Sequence, residues 1–104
     1  MLQEQEMLEN PQIQKLMRQV TAGILPSKSL IEVRSEPAED AEGQDALRIT
    51  LVMSESAINV LTPEQLVTLL TEVHDSLLRE GDERFPLLSY STPADLIAAQ
   101  NGAD

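Results

Sequence analysis

The chain has no cysteine and no tryptophan, and histidine occurs once, at His74. Without thiols there can be no disulfide, no cysteine nucleophile and no thiolate metal site. A single histidine is too little for a zinc centre, so neither a metal nor a cofactor is expected. Phe85 and Tyr90 are the only aromatic residues. That removes the platforms on which single-stranded nucleic acid stacks, and it makes any core aliphatic. The 4 glycines are scattered, which excludes a glycine-rich phosphate cradle. No apolar run approaches the roughly 20 residues of a membrane-spanning helix. The opening residues, MLQEQEMLEN, are acidic and lack an apolar signal core, so the cytoplasm is the expected compartment.

Positive charge is scarce as well. Lysine and arginine number 7 against 18 aspartates and glutamates, a net charge of −11 over 104 residues. Such a surface repels phosphate backbones, so direct binding of DNA or RNA is not expected. It suits a basic protein partner, or imitation of a nucleic acid toward a protein that binds one. The length suits one domain with a modest core.

The best-specified stretch is Thr62 to Gly81, TPEQLVTLLTEVHDSLLREG. Thr62 and Gln65 have the spacing of a capping box, and Pro63 stands at the first helical position. Leu61 and Leu66 can staple the entry. Leu66, Leu69, Leu70, Val73 and Leu77 then recur at three and four, one apolar face of a helix. Val67 and Leu78 widen that face, which predicts packing on more than one neighbour. Gly81 marks the end, with Arg79 complementing the dipole in the last turn.

Residues 1–9 are expected to form a flexible or loosely helical tail, residues 10–100 one domain, and residues 101–104 a frayed end. Asn10 and Pro11 open a second helix as cap and first residue. Ile13, Leu16, Met17 and Val20 form its stripe, Lys15, Arg18 and Gln19 face away, and Gly23 stops it. Docking of this stripe on the domain core is preferred over a role in holding a partner. Ser29–Arg34 reads as a strand, with Ile31 and Val33 on one face. Residues 35–45, SEPAEDAEGQD, read as a polar, mobile loop. Ala46–Met53 is the clearest strand, with Leu47, Ile49, Leu51 and Met53 alternating with Arg48, Thr50 and Val52. The two strands are expected to pair antiparallel, with Arg34 and Arg48 on the solvent side beside acidic neighbours. Ser54–Val60 reads as a helical turn or an irregular link. Phe85–Tyr90 is a third strand with Pro86 at its start or on an edge. Thr92 and Pro93 open a short last helix.

The order α-β-β-α-β-α defines an α+β fold. The expected architecture is a small two-layer domain, in which the central helix covers a two- to three-stranded, mostly antiparallel sheet.

Candidate chemistry is sparse. His74 adjoins Asp75, but neighbours on a helix point about 100° apart and do not form a dyad. Ser54 and Ser56 follow a strand but lack a nucleophile elbow. The acids Glu36, Glu39, Asp40, Glu42 and Asp45 do not match a calcium-loop pattern. No catalytic residue is nominated, and no stretch carries a family motif. The expected function is a non-catalytic protein-binding module, such as an inhibitor, antitoxin-like partner, adaptor or regulatory subunit. The alternatives are a nucleic-acid mimic and a small enzyme using His74 or a carboxylate-bound metal. Partner contacts are expected at Met7, Ile13 and Met17 of the N-terminal region, at Glu39, Asp40 and Glu42 of the acidic loop, and at Tyr90, a residue type favoured at interfaces. Phe85 is expected to plug the core beneath the central helix. Free sheet edges and an apolar helix also leave room for a homodimer.

Overall fold

The computed structural model describes residues 8–26 and 28–101. The elements run α1 (Asn10–Ala22), β1 (Leu30–Glu39), β2 (Asp45–Met53), α2 (Glu55–Asn59), α3 (Pro63–Arg79), β3 (Phe85–Ser91) and α4 (Pro93–Asn101). The result is a small α+β domain built on one three-stranded sheet in the order β1-β2-β3. The segment between β2 and α3, read as a turn or link, is the short helix α2, capped by Ser54 Oγ on the N–H of Ala57 at 3.2 Å.

β1 and β2 form the longer, antiparallel ladder, whereas β3 joins β2 in parallel. The parallel return follows from α3. A 17-residue helix carries the chain back about 25 Å, close to the length of β2, so β3 starts beside the start of β2. The sheet is therefore mixed.

Helices α1 and α3 pack side by side on one face of the sheet. Their buried residues Ile13, Leu16, Met17, Leu69, Val73 and Leu77 meet Leu47, Ile49, Leu51 and Met53 of β2. The alternation read in β2 thus points its odd positions into the core. The opposite face of β2 is not wholly polar, since Ala46 and Val52 are also buried. Around them the reverse face carries ion pairs, Arg34 Nε to Glu32 Oε2 at 2.9 Å and Arg48 Nη1 to Glu36 Oε2 at 3.3 Å. Both arginines face the acidic neighbours expected of them. Helix α4 turns back so that its Leu96 borders this patch.

Several local readings change. Helix α1 begins one residue early. Glu9 is its cap, with the Glu9 N–H donating to Gln12 Oε1 at 2.9 Å, and Asn10 is helical. The Asn10 carboxamide oxygen instead accepts from Ser35 Oγ at 2.7 Å and ties the helix to β1. A bulge between Leu30 and Glu32 shifts the register of β1, so Leu30 and Val33 share the core side while Ile31 is exposed. The stretch 35–45 is mostly strand. Pro37 and Ala38 pair with Leu47 and Ala46, and only the turn from Asp40 to Gln44 is loop. Asp40 Oδ1 accepts the N–H groups of Glu42 at 2.8 Å and Gln44 at 2.9 Å, and Gly43 adopts φ +81°. The end of this hairpin is mostly exposed, so its strands carry no apolar alternation to reveal them.

Candidate functional site

Among the described residues, an apolar surface lies open along the outer side of β3. Register places Pro86, Leu88 and Tyr90 opposite Leu47, Ile49 and Leu51, on the helix-bearing face of the sheet. Helix α3 reaches this strand with one flank. Its buried ridge is Leu69, Val73 and Leu77, whereas Leu66 and Leu70, turned toward β3, are only half-buried. Between them lies a groove of about 360 Å³ lined by Leu66, Leu70, Pro86, Leu88 and Tyr90, with Phe85 and Leu87 at its border.

More apolar surface continues from the same flank, where Val67 is 65 % exposed and Leu78 48 % exposed. Both were expected to meet a second neighbour. The second neighbour of α3 is α1, but it lies along the opposite flank, where Leu16 and Val20 approach Thr68 and Ser76. Phe85 does not plug the core. It is 42 % exposed and meets the edge of the His74 ring, centroids 5.0 Å apart at 67°. His74 is thus a half-buried aromatic neighbour on the groove side of α3, while Asp75 is exposed. Tyr90 is half-buried, and burial pushes its phenol above the usual tyrosine value.

The other residues nominated for partner contact are scattered. Met7 lies outside the described residues. Ile13 and Met17 are enclosed, 1 % and 0 % exposed, so in this fold they present no surface to a partner. Glu39 and Glu42 are exposed at the far end of the hairpin, and Asp40 is occupied in holding the turn. Tyr90 is the nominated residue that lines the groove.

A larger cleft, about 640 Å³, separates α1 from α3. Its floor includes Leu16, Val20 and Ile24, but Glu72, Arg79 and Glu80 line its rim, and Arg79 Nη2 donates to Ser76 Oγ at 3.0 Å. Mixed charge and internal hydrogen bonding make it a poorer apolar receptor than the β3 groove. Among the described residues no three His, Cys, Asp or Glu side chains gather as a metal ligand set, and no helix is long and apolar enough to cross a membrane.

One polar constellation was not anticipated from the sequence. Asp82 is fully buried and Arg84 nearly so. Arg84 Nη2 lies 2.7 Å from Asp82 Oδ2, and Arg84 Nε donates to Asp82 Oδ1 at 3.0 Å. The pair also holds the backbone of Leu8, whose N–H donates to Asp82 Oδ2 at 3.1 Å and whose carbonyl accepts from Arg84 Nη2 at 3.2 Å. Burial pushes the Asp82 carboxyl upward, but hydrogen bonds from Arg84 and Leu8 outweigh it and hold the group below the usual aspartate value. Arg84 is raised, chiefly by its hydrogen bond to Asp82. The arrangement fastens Leu8, just ahead of α1, to the α3–β3 connection. Only the short Asp-x-Arg spacing after Gly81 hinted at it.

The fold and this surface define a small α+β domain with an open apolar groove beside an edge strand. Comparison with protein-family models, curated proteins and solved structures returns no match.

Proposed function

We propose that this chain is a non-catalytic protein-binding module that captures a basic partner through the groove between α3 and β3, acting in the cytoplasm. The supporting observation is the groove itself. It joins half-buried Tyr90 to Leu66 and Leu70, and its apolar flank runs on to the exposed Val67. Open apolar surface edged by polar residues is characteristic of interaction sites. Tyrosine combines a large contact area with a polar tip, which suits such a position. The net charge of −11 favours encounter with a basic protein at low salt.

Catalysis and nucleic-acid mimicry gain no comparable support. His74 faces Phe85. The carboxylates of Glu32 and Glu36 are paired with Arg34 and Arg48 and do not form a line of like charge.

Site-specific photocrosslinking tests the reading. A photoreactive residue at position 67, on the groove side, should yield one discrete adduct with a basic protein in cells that make this chain. The same residue at position 19, on α1, should not. Failure to form an adduct at position 67, or equal adducts from both positions, would overturn the assignment.

A further inference from the structure

We infer that the outer edge of β3 accepts an extended segment of the basic partner as a fourth strand, with alternate apolar side chains of that segment seated in the Tyr90 groove. The inference rests on the protein-binding reading above and specifies its mode.

The two edges of the sheet are treated differently. β1 carries the devices that block strand addition. Glu32, Arg34, Glu36 and Glu39 place charges along it, Pro37 removes a donor, and a bulge bends it between Leu30 and Glu32. Helix α1 also spends side chains on its backbone, with Gln14 Nε2 donating to the Val33 carbonyl at 3.2 Å and Arg18 Nη2 to that of Ile31 at 3.5 Å. β3 differs in charge and in regularity, though it too carries a proline. Its 7 residues, FPLLSYS, carry no charge, and its ladder with β2 runs without a register shift. Pro86 removes one donor near the start and leaves Leu87–Ser91 able to pair. Beside that edge lies the groove, which would receive every second side chain of an added strand.

Charge selects the occupant. The two arginines beside the edge are already engaged, Arg48, opposite Leu87, by Glu36 and Arg84 by Asp82, and the other charges around it are acidic. Glu64 and Asp75 lie on the exposed side of α3, Asp45 adjoins the position paired with Phe85, and Asp95 follows the far end of β3. The cations Arg18 and Lys28 lie toward β1, on α1 and the turn after it, and Lys15 lies on the side of α1 near Glu80. A segment that alternates aliphatic residues with lysine or arginine therefore matches both groove and rim. A second copy of the chain would bring another −11 charge to the same edge.

The probe is a short synthetic peptide alternating valine and lysine, titrated onto the purified chain at low salt by fluorescence anisotropy. Controls are the same peptide N-methylated at alternate amides, which cannot pair as a strand, and a version with glutamate for lysine. Both controls should bind at least about tenfold more weakly. Leu87→Lys should produce a similar loss, and Ser89→Lys serves the same purpose should the first variant not fold. Gln19→Lys, which adds the same charge on α1, should bind as the wild type does. Equal binding of the N-methylated peptide, or equal weakening by Gln19→Lys, would reduce the interaction to diffuse charge and overturn the inference. A dimer in light scattering that Leu87→Lys converts to monomer would also overturn it, by assigning the edge to a second copy. If the natural partner crosslinks from position 67 but is held as well by Leu87→Lys, the binding function stands and strand addition falls. If no partner crosslinks, both fall.

Discussion

Arg84 Nη2 lies 2.7 Å from Asp82 Oδ2 in a nearly dry setting, and between them the two side chains hold both the N–H and the carbonyl of Leu8. A buried charge that loses its partner is far more costly than one exposed to water. Arg84→Ala is therefore expected to destabilise the fold by about 3–5 kcal/mol. Urea denaturation at neutral pH measures this, and a loss below about 1 kcal/mol, typical of a surface pair, would show the bracket to be dispensable.

The same pair predicts an acid dependence. The folded Asp82 carboxyl is held below its ordinary value of 3.8. Unfolded chains thus take up the proton first as pH falls. The stabilisation by ionised Asp82 is complete above the unfolded value and is lost as pH falls through the lower folded one. Denaturation curves from neutral pH down to pH 3 should show wild type losing stability faster than Asp82→Asn. Parallel curves would remove Asp82 from the acid response.

Tyr90 is the only tyrosine, so ultraviolet absorbance reads its ionisation directly. Burial disfavours the phenolate, and the folded midpoint should lie above the ordinary 10.0. Stability from this group is complete below the unfolded value and declines as pH rises toward the folded one. A midpoint at or below 10 would contradict the half-buried placement.

Helix α3 has two apolar flanks with different duties. Leu69 is 0 % exposed in the core, and Leu69→Ala should cost about 2–5 kcal/mol. Val67 is 65 % exposed, and Val67→Ala should change stability by no more than about 0.5 kcal/mol. Thermal melts of the pair separate scaffold from surface, and comparable losses would mean that Val67 is packed.

Gly43 turns the β1–β2 hairpin at φ +81°, with no atom within 4 Å of where a Cβ would stand. Any cost of Gly43→Ala is therefore conformational rather than steric crowding, and about 1–2 kcal/mol is expected. An unchanged melting temperature would show that the turn relaxes to another form.

The elements whose causes are local were legible before any tertiary contact was known. The capping box of α3 forms as its spacing implies, with the Gln65 N–H donating to Thr62 Oγ1 at 3.1 Å and the Thr62 N–H to Gln65 Oε1 at 3.0 Å. The period-two pattern of β2 and the stripe of α1 likewise name their own buried residues. The end of the β1–β2 hairpin was not legible, because exposed strands need no apolar alternation. The position of Tyr90 could be listed as an interface candidate, but not distinguished from a packed residue by its neighbours in the chain.

Composition, caps and periodicity thus determined an acidic α+β chain with an aliphatic core and a central helical scaffold. They act through interactions a few residues apart, which any reader of the chain can align. Tertiary structure alone decided that β3 returns parallel as an uncharged edge, that α1 occupies one flank of α3 and leaves the other open, and that Asp82 and Arg84 close over Leu8. Each of these depends on which distant surfaces meet, and burial energy is realised only when those surfaces are brought together.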